Sequence, residues 1–372
     1  MRILIAPDKF KGTMSGSEVG DVIKGVLKKH ECRVVPVADG GEGTAEKIGN
    51  ALGGQWVHSK VIGPLGDSVD AGFFLVCDDC GGGTAVIEMS SASGIALING
   101  KNLDPWIAST YGTGQLIIEA RNFGVDRIIL GIGGSATNDG GAGMAQALGV
   151  RFFNANGSEI IEIPKRLMEV DQVFPEIRLD LPEIIVACDV DNPLLGKNGA
   201  TRIYGGQKGI AEKDMERQES RLLKFADIVE SEMGNVCRDE PGAGAAGGLG
   251  FGLMSFCDAE LQSGFNLVAE SIGLEELIAS YDLVITGEGR MDSQSLMGKA
   301  PHGLAKIARR LGKPVVAICG SVKGIEGLED DFDIVIPLVD EKTDIQQSMS
   351  NPHKVLKNKV DSCQQMIEQL IS

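Results

Sequence analysis

Basic residues are short in this chain: 35 Lys and Arg stand against 52 Asp and Glu, giving a formal net charge of −17 and a pI near 4.7. That deficit opposes any sequence-independent grip on nucleic acid or on an anionic membrane, both of which need Lys/Arg patches. A small anion would need locally placed cations. Long apolar runs are missing as well. None approaches the length of about 18 residues that a membrane span requires. The opening Met1-Arg2-Ile3-Leu4-Ile5-Ala6 is too short for a signal-peptide core before it meets Pro7-Asp8-Lys9. The expected compartment is the cytoplasm, with neither nucleic acid nor membrane as partner.

Cysteine pairs are not evident either. Cys32, Cys77, Cys80, Cys188, Cys237, Cys257, Cys319 and Cys363 are scattered, several inside apolar runs such as Val316-Ala317-Ile318-Cys319. They read as small buried hydrophobes in a reducing compartment. Cys77-Asp78-Asp79-Cys80 is a lone C-x-x-C without a second pair or a nearby histidine, so a closed zinc site lacks half its ligands. There is no repeat, no low-complexity tail and no free linker. Ser-His-Asp spacing and strong metal triads are absent too.

What is present is an ordinary globular composition, 43% hydrophobic with mean hydropathy +0.04, over 372 residues. That length suggests two domains, since single cores stop growing near about 250–300 residues. Strand candidates are Ile3–Ala6, Arg33–Val37, Trp56–Ile62, Phe73–Val76, Ala85–Met89, Arg127–Leu130, Glu183–Ala187, Asp282–Thr286, Pro314–Cys319 and Ile334–Leu338. Helical periodicity separates many of them. Val19, Val22, Ile23, Val26 and Leu27 follow a capping-box pair, Ser15 and Glu18, and a second helix carries Leu356, Val360, Cys363, Ile367 and Leu370. This alternation is the mark of α/β layering. Trp56–Met89 differs, with three strand-like runs joined by short turns that suit antiparallel or mixed pairing. The first two and last three strands are therefore expected in one doubly wound domain, residues 1–55 and 276–372, with 56–275 inserted as a second, mixed-sheet α/β domain.

Most of the proposed parallel strands end in small or acidic residues: Ala6-Pro-Asp-Lys-Phe-Lys-Gly-Thr13, Val37-Ala-Asp-Gly-Gly-Glu-Gly-Thr44, Leu130-Gly-Ile-Gly-Gly-Ser135, Val186-Ala-Cys-Asp-Val-Asp191, Ile285-Thr-Gly-Glu-Gly-Arg290 and Ile318-Cys-Gly-Ser321. Open parallel sheets bind ligands outside their strand carboxyl ends, where glycine exposes backbone N–H groups and a following helix N-terminus favours negative charge. The residue types suggest phosphate with a divalent cation. Gly131-x-Gly133-x-x-Ala136 follows a strand like a dinucleotide fingerprint, but the acidic residue expected about twenty positions on is missing from Val150-Arg151-Phe152-Phe153-Asn154. Gly242-x-Gly244-x-x-Gly247 does not follow a strand, and no Walker A loop occurs, since Ala300 follows Gly298-Lys299.

The chain resembles the type I glycerate kinases over nearly its full length. The carrying segments are Ala6–Thr13, Asp39-Gly-Gly-Glu-Gly-Thr44, Tyr111-Gly-Thr-Gly114, Gly133-Gly-Ser-Ala-Thr-Asn-Asp-Gly-Gly-Ala-Gly143, Cys188-Asp-Val-Asp-Asn-Pro193, Gln207-Lys-Gly209, Pro241-Gly-Ala-Gly-Ala-Ala-Gly-Gly248, Thr286-Gly-Glu-Gly-Arg290 and Gly298-Lys-Ala-Pro301. The resemblance implies ATP-dependent phosphorylation of D-glycerate, magnesium, and a flavodoxin-like domain carrying an inserted α/β domain with the active site in the cleft between them. It leans to 2-phosphoglycerate as product, with a glycerate 3-kinase as the alternative. A different class, an NAD-dependent hydroxyacid dehydrogenase, would explain the G-x-G-x-x-A loop. Two departures stand out: Gly206 where the pattern has proline before Gln-Lys-Gly, and Gln115 where it has glutamate. The oligomeric state is open, a homodimer included.

Phosphoryl transfer asks for a metal clamp, cations on the transferred group and a base for the attacking hydroxyl. Asp189 is favoured as base over Asp191, the alternative being an aspartate that caps the next turn. Lys9 and Lys11 flank Phe10, and alternate residues of an extended chain face one way, so both ammonium groups can meet one anion. Asp8, Asp39 and Asp191, with Glu42, are candidate magnesium ligands through oxygen. Gly133, Gly134, Ser135, Thr137 and Asn138 are the phosphate- or substrate-binding candidates of the glycine loop, where the polar three can equally cap the next helix. Glu288, Arg290, Asp292 and Lys299 form a last cluster. Arg290 is the better fork for a carboxylate and Lys299 the better point charge for phosphate.

Overall fold

A computed structural model describes residues 1–10, 12–37, 43–77, 82–98, 103–175, 180–291, 300–323, 328–341 and 343–370. Its strands, in chain order, are β1 (Arg2–Pro7), β2 (Glu31–Val34), β3 (Gln55–Ile62), β4 (Ser68–Cys77), β5 (Gly83–Glu88), β6 (Arg127–Gly131), β7 (Val150–Phe153), β8 (Gln172–Pro175), β9 (Glu183–Ala187), β10 (Glu260–Gln262), β11 (Leu283–Met291), β12 (Val315–Val322) and β13 (Ile334–Pro337). The chain divides into two compact units, Met1–Asp39 with Phe265–Ser372 and Gly40–Gly264.

The first unit carries a five-stranded, wholly parallel sheet in the order β13-β12-β11-β1-β2. Numbered within the unit alone this is 2-1-3-4-5, the flavodoxin-like winding, whose topological switch point lies between β1 and β11. Both faces are covered. Leu4, Ala6, Val284, Val315 and Ala317 point to one side, against Phe265, Leu274, Ile278, Leu304 and Ala308 of three helices. Ile3, Ile5, Ile285, Val316 and Ile318 point to the other, against Val19, Ile23, Leu356, Val360 and Ile367. A strand buried on both faces reads as a continuous apolar run, which is why these strands were legible. Helix Gly16–Val26 starts as its sequence predicts: Ser15 and Glu18 close a complete capping box.

The second unit holds a mixed six-stranded sheet, β10-β9-β6-β5-β4-β3, in which β3, β4 and β5 run antiparallel to their neighbours in turn and β5, β6, β9 and β10 run parallel. The hairpin β7–β8 lies apart from it and joins a second core with helix Met215–Met233, through Phe152, Val173, Leu222 and Phe225. The expected boundaries at 55/56 and 275/276 differ from those of the units. Helix Thr44–Ala51 packs on β4 and β5, and helix Gly264–Ser271 puts Phe265 into the core of the first unit.

Three strands lie outside the expected set: β7, β8 and β10. One expected loop is strand instead. β11 continues past Thr286 to Met291, pairing Arg290 with Ser321 and Met291 with Val322 of β12. Glycine makes this possible, since a Cβ on Gly320 would run into the carbonyl oxygen of Gly289. The cysteines also differ from expectation. Only Cys319 is buried among the seven described, Cys77 is exposed and the rest are half-buried; all seven are free thiols, and Cys80 lies outside the described residues. Among the described residues no helix is long and apolar enough to cross a membrane.

Candidate active site

In the first unit a cavity of about 690 Å³ opens at the carboxyl ends of β1, β11 and β12, beside the switch point. Asp8, Lys9, Glu288, Arg290, Ser321 and Lys323 are among its polar lining. Phe10, Met14, Val322, Leu338, Ile345 and Met349 are among its apolar lining. The Asp8 amide donates to the Gly287 carbonyl at 2.8 Å, continuing the β1–β11 register beyond the last strand residue, and the Asp8 Oδ1 accepts from the Lys9 amide at 2.7 Å. Asp8 and Glu288 are buried, Lys9 is half-buried and Arg290 is exposed. Four expected residues thus converge here: Asp8, Lys9, Glu288 and Arg290. Lys11, Asp39, Glu42, Asp292 and Lys299 lie outside the described residues.

In the second unit β6 and β9 are neighbours and Gly131 pairs with Ala187, so the glycine loop and the Cys188–Asp191 segment leave the same edge of one sheet side by side. Asp189 is exposed, and its Oδ1 accepts from the Ser263 hydroxyl at 3.0 Å and from the Gly264 amide at 2.9 Å, at the start of helix Gly264–Ser271. These contacts are to a segment 74 and 75 positions away and not to the next turn. Asp191 is exposed on the same segment. β5 lies on the other side of β6, and its last residue, Glu88, accepts from the Ala45 amide at 3.1 Å. Sequence reasoning missed Glu88 because it sits inside an apolar strand run.

The glycine loop is built from within. Gly133 is half-buried and Gly134 exposed, whereas Ser135, Thr137 and Asn138 are buried. Asn138 is fastened by Gln218 Nε2, 2.6 Å from its carbonyl oxygen and 3.0 Å from its Oδ1, and Thr137 Oγ1 donates to the Ala246 carbonyl at 3.4 Å. Thr137 and Asn138 therefore turn inward, and the exposed part of the loop is Gly134, with Gly133 half-buried and Ser135 buried beside it. Helix Ala142–Ala147 starts only after Gly141, so no helix opens on Gly131-x-Gly133-x-x-Ala136 as a dinucleotide fingerprint requires. Some of the glycine content serves packing instead: a Cβ on Gly247 would collide with the Thr137 carbonyl oxygen.

Two buried groups behind the loop escaped sequence reasoning. The Asp139 carboxylate is fully buried and accepts from the Thr110 amide and hydroxyl, both at 2.9 Å, from the Gly141 amide at 3.1 Å and from the Gly143 amide at 3.2 Å. Burial pushes its pKa up, while those hydrogen bonds pull it down. The Lys208 ammonium donates to the Ser135 hydroxyl and to the Thr137 carbonyl, each at 2.7 Å. Burial pushes Lys208 down to about 7, against the pull of Asp139. The Gln207-Lys208-Gly209 motif was the signal that could have found it.

The two departures have local accounts. Gln115 Oε1 accepts from the Ile62 amide at 2.7 Å, the acceptor part that a glutamate would play. Gly205 is right-handed helical at φ −64°, ψ −38°, a conformation that a proline at 206 would disfavour.

Asp8, Glu288 and the glycine loop all stand at the carboxyl ends of parallel strands, where α/β enzymes bind and transfer phosphoryl groups. The molecule is of that class, a small-molecule kinase, and residues 3–368 match the family model described as the glycerate kinase family. The chain belongs to that family. It is 46% identical to a glycerate kinase of Halalkalibacterium halodurans over 364 residues, 95% of each chain. It is also 46% identical to the glycerate 2-kinase of Escherichia coli K12 over 342 residues, 90% of this chain and 87% of that one. A crystal structure from Salmonella typhimurium LT2, assigned as glycerate kinase 2, superposes with a TM-score of 0.82 at 38% identity and covers 100% of this chain and 98% of that one.

Proposed function

We propose that the protein transfers the terminal phosphoryl group of ATP to the 2-hydroxyl of D-glycerate, with the nucleotide seated in the cavity of the first unit. The observation that carries the nucleotide assignment is the size of that cavity and its lining by both apolar and cationic residues. About 690 Å³ falls within the usual range of ligand pockets, about 300–1,000 Å³, and far exceeds an acid as small as glycerate. Ile345, Met349 and Leu338 suit a base and sugar, whereas Lys9, Arg290 and Lys323 suit phosphates. The name of the Escherichia coli relative supports the 2-position. Free thiols and ATP as donor fit a reducing, ATP-supplied compartment, the cytoplasm.

Magnesium fits the donor set. Among the described residues no cluster of three or more His, Cys, Asp or Glu forms a closed metal cage. Magnesium is commonly held by one or two carboxylates together with substrate phosphates and water, so a cage is not required. Asp8 and Glu288, hard-oxygen donors buried beside the cavity's cations, are the residues that would hold it. Held by them, the ion would supply charge neutralisation for the nucleotide phosphates. Gly133, Gly134 and Ser135 offer hydrogen-bond donors to the reacting anion, and Asp189 accepts the proton of the attacking hydroxyl.

An ADP-release assay tests the reading: release depends on added glycerate. Met349→Asp, which sets a carboxylate among the cavity's apolar lining, raises the KM for ATP by about tenfold or more and leaves that for glycerate within about twofold. A shift in the glycerate KM alone would move the nucleotide out of this cavity.

A further inference from the structure

The glycine loop rests on an unusual charge arrangement. Lys208 and Arg221 are 2% and 3% exposed, and the one buried carboxylate coupled to both, Asp139, is fully enclosed. Arg221 donates to Gln218 Oε1 at 2.7 Å and to the Pro164 carbonyl at 2.5 Å, lies over the Trp106 ring at 4.9 Å, and holds Gln218 against Asn138. Its guanidinium is thereby used. Lys208 is used only in part: an ammonium carries three N–H donors, and the Ser135 hydroxyl and Thr137 carbonyl take two of them.

A hydroxyl that accepts a hydrogen bond from an ammonium must turn its own proton elsewhere. Ser135 Oγ accepts a hydrogen bond from the Lys208 ammonium, so its own O–H is left to donate to a further acceptor, in a loop whose neighbouring Gly134 is exposed. A buried charge is costly even with Asp139 near it, so a lysine placed here only to fill space would be better replaced by an apolar side chain of its length.

Resting on the kinase reading above, we propose that Lys208 is a positioning residue for the transfer reaction: its ammonium fixes the Ser135 hydroxyl as a donor and sets positive charge behind the loop for an anionic oxygen of the reactants. That oxygen belongs to the glycerate carboxylate or to the transferred phosphoryl group. The shared chemistry is a hydrogen bond from a charge-polarised hydroxyl, and kinetics separates the sources. A carboxylate contact is made equally in ground and transition states and shows as KM for glycerate. A phosphoryl contact strengthens as charge develops and shows as kcat.

The test is a double-mutant cycle on the full-length enzyme with Lys208→Met, Ser135→Ala and the pair, reading both KM values, kcat and the melting temperature. Both single variants are expected to melt within a few degrees of wild type and to lose about 10- to 100-fold in the same parameter. The pair should lose hardly more than either alone, because the two residues act as one unit. Additive losses would overturn the proposal, as would wild-type kinetics in either variant. Should Lys208→Met fail to fold, Ser135→Ala decides alone, since it keeps the cation: normal kinetics there contradicts the proposal. A wild-type enzyme that releases no ADP with glycerate would instead contradict the kinase reading itself.

Discussion

Asp189 shows how one side chain serves structure and chemistry together. Its Oδ1 holds Ser263 and Gly264 at the start of a helix, so an alanine there would remove a hydrogen-bond acceptor along with the charge. Asparagine separates the two, because its amide oxygen can still accept both bonds while its basicity is gone. Asp189→Asn should therefore fold normally and lose about 10²–10⁴ in kcat, with unchanged magnesium requirement and nucleotide affinity. Recovery of activity at raised magnesium would identify a metal ligand instead, and near-normal turnover at every magnesium concentration would shift the base to Asp191. Asp139, fifty positions upstream, offers a contrast at the same scale. Its four hydrogen bonds come from Thr110, Gly141 and Gly143. In the sequence it is one more acid in a glycine loop, indistinguishable from a ligand, because burial depends on segments far away in the chain.

Elements were legible where one local rule dominated. Helix Gly16–Val26 joins an apolar stripe to a capping box, and both are realised: Ser15 Oγ accepts from the Glu18 amide at 3.2 Å, and Glu18 Oε2 accepts from the Ser15 amide at 2.8 Å. Ser15→Ala removes the first of these and should cost about 1 kcal/mol of global stability, read as a lower urea midpoint at unchanged m-value. No change in midpoint would mean that the burial of Val19 and Ile23 alone sets where the helix begins. Elements were illegible where local signals were weak or misleading. β7 is four residues long and interrupts its apolar residues with Arg151, and β10 is only three residues long. The far half of β11 reads as a loop because Gly287 and Gly289 are there. The structure shows instead that glycine on this strand pair admits the close approach of Gly320.

For the whole molecule, alternating apolar runs and helical stripes carried the architecture, a parallel doubly wound sheet and a mixed sheet, because each strand's burial is written in its own residues. The candidate site was legible only in part. Strand-end acids and glycines pointed to Asp8, Glu288, Asp189 and the loop at Ser135, but nothing local ties Lys208 to Ser135, 73 positions away, or shows that Asp139, inside the loop itself, is buried against Thr110. The central claim is that the chain makes 2-phosphoglycerate from D-glycerate and ATP. The most direct measurement couples the reaction to enolase, which accepts the 2-isomer only, and follows phosphoenolpyruvate from the moment of mixing. The account predicts an immediate, glycerate-dependent signal without any mutase. A signal that appears only after phosphoglycerate mutase is added would contradict it and assign the product as 3-phosphoglycerate.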